Sequence, residues 1–199
     1  MKKTSFFSKA LLGAAVVTMS MGAVSCKEEN KAEDPKEVAE EENEAKFDDV
    51  NEDKEEDSDY LVLAAEVDMK EIELGKLAQQ KSTNADVQAL GKMMVDQHTK
   101  ASADTKALAA KKNITLPTTL TDSGQEAYKD LNDKTGHDFD KAYADMMVDG
   151  HEKTIEKMER ASEKATDADI RMWAANMLPS LRTHLEHAKM AKEKIKAVK

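Results

Sequence analysis

The chain has 199 residues, of which 40% are hydrophobic and 35% are charged, and its formal net charge is −10 at pH 7. This length and apolar content are sufficient for one domain with a buried core. A single cysteine excludes an internal disulfide, and the lack of a net positive charge argues against nucleic acid as a partner.

The N-terminus has the pattern of a secretory signal peptide. Three lysines precede an apolar run over 10–17 that is much shorter than the roughly 20 residues of a membrane-spanning helix. Ala23-Val24-Ser25-Cys26 then resembles the bacterial lipobox, and Lys27-Glu28-Glu29 resembles a surface-export signal of Bacteroidetes lipoproteins. We predict a signal peptide over 1–25, a lipid on Cys26, and anchoring to the cell envelope at the outer membrane. Periplasmic and surface orientations both stay open.

The segment that follows Cys26 is strongly acidic. It contains 17 acidic and 5 basic residues over 27–59, and it has Pro35 but no apolar periodicity. A segment of this composition buries too little surface to offset its chain entropy, so we expect a disordered tether over 26–59. The formal charge over 27–59 is therefore −12, and the three lysines before Cys26 contribute +3. The total of −10 then leaves about −1 for the residues from Tyr60 onward, which are close to neutral.

Four segments beyond the tether have apolar residues at the three-and-four spacing of amphipathic helices. Their predicted bounds are 60–81, 84–112, 138–164 and 166–197. The long connection between the second and third segments has room for one short helix near 125–131. No alternating pattern predicts a strand, so we expect an all-α four-helix bundle over 60–199.

Each apolar stripe is interrupted by one polar residue. These residues are Glu71, His98, His151 and His184, in chain order. At about 1.5 Å of rise per residue, they fall at similar heights in antiparallel neighbours. We therefore expect three imidazoles and one carboxylate in one layer of the core.

A short segment of the second helix is repeated in the third. Met93-Met94-Val95-Asp96-Gln97-His98-Thr99-Lys100 recurs as Met146-Met147-Val148-Asp149-Gly150-His151-Glu152-Lys153. The repeat fits two halves of one site, and it also fits a repeated core-packing motif. It makes Met94 and Met147 candidates for supporting contacts, and Asp96 and Asp149 candidates for carboxylates that orient the imidazoles.

Several motifs together resemble domain-of-unknown-function family 4142, a ferritin-like group labelled as outer-membrane proteins. The resemblance covers Tyr60 to Leu185. Its motifs are Glu71-Ile72-x-Leu74-Gly75-x-Leu77-Ala78, the two Met-Val-x-x-His segments, Phe139-Asp140-x-x-Tyr143 and Leu178-Pro179-x-Leu181-x-x-His184-Leu185. It implies a ferritin-like four-helix bundle and no established activity. The family pattern has Asp before each repeated His, where this chain has Gln97 and Gly150.

The inward residues suggest a mononuclear rather than a dinuclear metal site. The ferritin-like dinuclear site needs Glu-x-x-His on two helices, but Val95, Val148 and Leu181 stand three residues before the histidines. Three His and one Glu suit zinc, copper or iron, and the nearby methionines favour copper. Two alternatives stay open: a structural or protein-interaction bundle without a ligand, and an enzyme with an open coordination position. No catalytic residue is predicted.

Overall fold

The computed structural model describes residues 33–47 and 52–197, and this part of the chain is all-α. Its helices are α1 (Pro35–Phe47), α2 (Glu52–Lys81), α3 (Ala85–Lys112), α4 (Asp122–Asn132), α5 (Gly136–Lys164) and α6 (Ala168–Ala197). None of these helices is both long enough and apolar enough to cross a membrane. The predicted signal peptide over 1–25 and the predicted lipid site at Cys26 lie outside the described residues.

The four predicted helical segments correspond to α2, α3, α5 and α6, and the short predicted helix corresponds to α4. Both ends of α3 are set by asparagines. The Asn84 side chain accepts hydrogen bonds from the backbone N–H groups of Asp86 and Val87, and Asn113 ends the helix in the left-handed conformation. Thr121 caps α4 by accepting a hydrogen bond from the Gly124 N–H.

The long helices form a helical bundle of two antiparallel hairpins, α2 with α3 and α5 with α6. In the first hairpin, Gly75 and Gly91 meet where the helices cross. A Cβ atom added to either glycine would lie 2.7 Å from the carbonyl oxygen of the other, so only glycine permits this approach. Because α2 and α3 are close at this crossing, a side chain of α2 that lies one to two turns from it can form a hydrogen bond with a side chain of α3.

The connection over 113–135 crosses from one end of the bundle to the other. At its start, Ile114 and Leu116 pack against one apolar cluster, and later Leu131 of α4 is buried in the other. This crossover makes α5 run parallel to α3. As a result α5 is antiparallel to α2, in agreement with the ion pair between Glu56 and Arg160.

The core consists of two apolar clusters. On α2, the first cluster holds Tyr60, Leu61 and Ala64, and the second begins at Leu74. The helices α3, α5 and α6 also contribute residues to both clusters, and the boundary falls at a similar height along the bundle. Between the clusters, each of the four helices contributes buried polar side chains, which include Asp68, Glu71, His98, His151 and His184. The bundle therefore has a polar layer between two apolar ends.

The prediction of a disordered tether is corrected over 35–47, which form α1. Asp34 caps this helix by accepting a hydrogen bond from the Lys36 N–H, and Pro35 is favourable in the first turn because its φ is already helical. Asn43 is fully buried and makes two hydrogen bonds to the backbone of Thr115. Sequence periodicity missed this helix because its docking depends on a polar contact with a distant segment.

The acidic residues over 52–59 also belong to a helix, because α2 begins at Glu52 rather than Tyr60. Asp57 is buried, and its carboxylate accepts hydrogen bonds from the backbone N–H groups of Thr166 and Asp167 and from the Thr166 hydroxyl. These contacts satisfy free N–H groups before α6. Part of the predicted tether therefore holds the connection between α5 and α6.

Replacing Asn43 by Ala should lower the free energy of unfolding by about 1–3 kcal/mol, because the N–H and C=O of the half-buried Thr115 would lose their partner. Urea denaturation followed by circular dichroism measures this change. Glu44→Ala, at an exposed position on the same helix, is the matched control and should shift it by less than about 0.5 kcal/mol. Equal effects of the two substitutions would show that α1 is not docked through Asn43.

Candidate metal centre

Three histidines from three helices meet in the polar layer. His98 of α3, His151 of α5 and His184 of α6 are each no more than 3% exposed. One ring nitrogen from each lies within 4.8 Å of the other two. Their ring centroids are 5.2 to 5.6 Å apart. The structure thus brings together the three imidazoles that sequence periodicity pointed inward.

A fourth side chain of the layer, Asp68, was not predicted. Asp68 is 1% exposed, and its Oδ1 accepts a hydrogen bond of 2.8 Å from the His98 Nδ1–H. This bond places the hydrogen on Nδ1 and leaves Nε2 with a free lone pair. The signal was present in the sequence, because Asp68 stands four residues after Ala64 and three before Glu71. It therefore lies on the same buried helix face as both.

The other two histidines contact each other. His151 donates its Nδ1–H to the Met147 carbonyl at 2.8 Å, so its Nε2 carries a lone pair and can act as an acceptor. That Nε2 lies 3.3 Å from His184 Nδ1. On the far side of its ring, His184 Nε2 lies 3.2 Å from the Ser180 hydroxyl. The inner nitrogens are therefore Nε2 of His98, Nε2 of His151 and Nδ1 of His184.

Glu71 lies in the same layer, but it is not one of the three mutually close donors. Its carboxylate is 1% exposed, and its Oε1 is close to Gly150, where a Cβ atom would lie 3.4 Å away. An aspartate at position 150 would put a second carboxylate beside Glu71, so glycine here keeps that space clear. Burial raises the pKa of Tyr143 well above its ordinary value, and the charge of Glu71 raises it further.

Several polar atoms of this layer have no hydrogen-bond partner. Among the described residues, the buried unpartnered side-chain atoms include Asp68 Oδ2, Glu71 Oε2, His98 Nε2 and the Tyr143 hydroxyl. Leaving such an atom unpaired costs about 1–3 kcal/mol. Most of these atoms are lone-pair acceptors, which a cation can satisfy. Their chemistry therefore fits a bound metal ion.

Burial keeps the imidazoles of His151 and His184 neutral. Desolvation, followed by the charges of His98, His151 and His187, lowers the pKa of His184 to about 3. Desolvation also lowers the pKa of His151, although the nearby Glu71 carboxylate opposes this effect. Neutral imidazole is the form that binds metal ions, so these two rings can coordinate near pH 7 without losing a proton.

The predicted supporting residues lie elsewhere. Met94 and Met147 are fully buried in an apolar cluster, and Met147 contributes to the layer only through its carbonyl. Asp96 is exposed and pairs with Lys92, and Asp149 is also exposed. Neither aspartate orients the histidine that follows it on its helix. The carboxylate that orients His98 instead comes from α2, across the helix interface.

A cavity between α3 and α6 reaches the layer from outside. It has a volume of about 560 Å³, and both His98 and His184 line its inner end. Its walls include Trp173, the one tryptophan of the chain, whose indole N–H is buried without a partner. Cavities of this size accommodate small molecules. The cavity is therefore a route by which an ion or a small ligand could reach the imidazoles.

Together these features define an all-α bundle with a buried three-histidine cluster that could hold a metal ion. The chain belongs to the family described as Domain of unknown function (DUF4142), whose sequence pattern matches residues 41–191. The family resemblance in the sequence is thereby confirmed. The chain has no match among curated proteins or solved structures.

Acid should destabilise the metal-free protein. A histidine whose pKa falls on folding binds fewer protons in the folded than in the unfolded state, so stability is lost as the pH drops below the unfolded value. For His184, stability is lost as the pH falls from 6.5, the pKa in the unfolded state, to about 3, the pKa in the folded state. The free energy of unfolding should fall by up to about 1.4 kcal/mol per pH unit for each such histidine. The midpoints of urea denaturation between pH 7 and pH 5 measure this fall in the free energy of unfolding.

His184→Asn should flatten this pH dependence, while His137→Asn, at an exposed position, should leave it at the parental slope. Comparing variants removes the contribution of Asp68, whose pKa is raised by burial and which therefore acts in the opposite direction. Equal slopes for the parent and His184→Asn would contradict the assignment of the lowered pKa to His184.

Proposed function

We propose that the protein binds one transition-metal ion through His98, His151 and His184, with Glu71 as the fourth ligand. The observation that carries this proposal is the cluster of three buried ring nitrogens within 4.8 Å of one another. The unpartnered His98 Nε2 supports it, because a metal would satisfy this atom, and the unpartnered Glu71 Oε2 is buried in the same layer.

The arrangement around the histidines also favours a metal site. The Asp68 carboxylate fixes the His98 tautomer, and the Met147 carbonyl does the same for His151. Metal-binding histidines commonly donate their outer N–H to a carboxylate or to a backbone carbonyl in this way. The unpartnered His98 Nε2 distinguishes this layer from an inert core, in which pairwise hydrogen bonds would satisfy every ring nitrogen.

The donor set suits zinc, copper or mononuclear iron. A dinuclear carboxylate site is not supported, because the residues three positions before the histidines are Val95, Val148 and Leu181. We nevertheless interpret the bundle as ferritin-like. Its single long crossover over 113–135 supports this interpretation, since ferritin-like folds combine four long helices with one such connection.

The purified protein should bind about one metal ion per chain in the buried layer, and His98→Ala combined with His151→Ala should abolish that binding. Zinc per chain, determined by elemental analysis after dialysis, measures the stoichiometry. At zinc concentrations about 100-fold above the dissociation constant, binding should stabilise the parent by about 2.7 kcal/mol and leave the double variant unchanged.

His137→Ala is the matched control, because it removes an exposed histidine and should retain the full stoichiometry. Asp68→Asn should keep the site but weaken it by about 10–100-fold, the usual cost of losing a partner that orients a ligand. Absence of zinc, copper and iron binding in the folded parent would refute the proposal and favour the inert bundle.

We also propose that a lipid on Cys26 anchors the protein to the outer membrane in the cell envelope. The support is the order of lysines, a short apolar run and the Ala23-Val24-Ser25-Cys26 motif in the sequence. In this arrangement the lipid is the membrane attachment and the helical bundle is the exported domain.

Cys26→Ala should abolish lipid attachment and should leave an unprocessed precursor, because the modified thiol would be missing. Metabolic labelling with a radioactive fatty acid, followed by membrane fractionation, checks this outcome. Ser25→Ala keeps a small residue before Cys26 and serves as the control. A labelled, processed Cys26→Ala protein would show that the anchor lies elsewhere.

A further inference from the structure

The exposed methionines of α6 are the starting point. Among the described residues, the large hydrophobic side chains that are exposed are Met172, at 60%, and Met190, at 57%. Isolated apolar side chains are common on protein surfaces and need no explanation by themselves. Met190 differs from Met172 because of what surrounds it.

Met190 lines a small cavity of about 200 Å³ between α3 and α6, together with Met93 and His187. His187 and Met190 are three residues apart on α6, so they lie on one helix face. Met93 faces them from α3 and is half-buried. Two thioethers and one imidazole therefore border a single cavity at the surface.

This donor set selects a soft monovalent ion. Thioether sulfur favours Cu(I), whereas divalent ions such as magnesium and calcium require oxygen ligands. The charged groups at the cavity, Asp86 and Lys194, pair with each other at its edge. The cavity therefore offers neutral donors and little net charge, which disfavours a divalent cation more than a cuprous ion.

The position of the cavity connects it with the buried layer. His187 stands one helical turn after His184, a separation that brings side chains on one helix into proximity. The cavity lies at the same α3–α6 interface as the larger cavity that ends at His98 and His184. An ion held by His187 would thus be about one helical turn from a histidine of the buried cluster.

We propose that Met93, His187 and Met190 form a surface site for Cu(I), from which the ion passes to the buried histidines. The passage rests on the proposed function, whereas the surface site itself depends on a separate set of residues. The transfer is an exchange of ligands, with copper cuprous throughout and no electron or proton donor required.

The experiment uses the folded protein with Cu(I), supplied anaerobically as its coloured bicinchoninate complex. The parent should remove two equivalents from the chelator. Met93→Leu combined with Met190→Leu should remove one, and it should load the buried site several-fold more slowly. Leucine conserves the volume and apolar character of methionine, so the fold should be retained, and circular dichroism checks this.

Met172→Leu is the matched control, because Met172 has similar exposure on the same helix but lines the other cavity without His187. It should bind two equivalents at the parental loading rate. Zinc binding should be one equivalent in all three proteins, since thioethers do not compete for zinc.

Two equivalents of Cu(I) on the double methionine variant, an equal loss in Met172→Leu, or an unchanged loading rate would each overturn the proposal. The results distinguish an error in the surface site from an error in the buried site. If His98→Ala with His151→Ala retains one Cu(I) that the methionine substitutions remove, the surface site stands and the buried site does not. If the parent binds a single equivalent that only the histidine substitutions remove, the surface site is refuted.

Discussion

The buried polar layer is the constraint on which the rest of the structure depends. Three imidazoles and two carboxylates lie in the core, where each unpaired atom costs about 1–3 kcal/mol. The hydrogen bond between Asp68 and His98 and the carbonyl of Met147 satisfy the outer side of the layer. On the inner side, His151 Nε2 and His184 Nδ1 lie 3.3 Å apart and His98 Nε2 has no partner, so a metal bound there would also stabilise the fold.

The helices are arranged so that this layer is continuous. Each long helix packs in one apolar cluster near one end and in the other cluster near its other end. Its buried polar residues lie between the two clusters. The close crossing of Gly75 and Gly91 draws α2 and α3 together, which allows Asp68 to reach His98. The Asn43 side chain holds the start of the crossover at Thr115, so α1 stabilises the connection that sets the direction of α5.

The α3–α6 interface combines two kinds of donor. Its interior presents the His184 imidazole, which burial keeps unprotonated, while its surface presents the thioethers of Met93 and Met190 next to His187. Imidazoles accept several transition metals, and thioethers narrow the choice to soft ions. If both proposals hold, selection takes place at the surface and retention takes place in the core, at histidines that are no more than 3% exposed.

The sequence by itself determined the four long helices and the inward direction of His98, His151 and His184, because helical periodicity is a local property that apolar spacing records. The tertiary structure decided the rest. Asp68 became the partner of His98 only through an interhelical contact, and Asp96, adjacent in sequence, points to solvent. Likewise, the acidic segment around Asn43 has only a short apolar stripe, and it docks because Asn43 forms hydrogen bonds to a distant loop while Ala39 and Phe47 are buried on the same helix face.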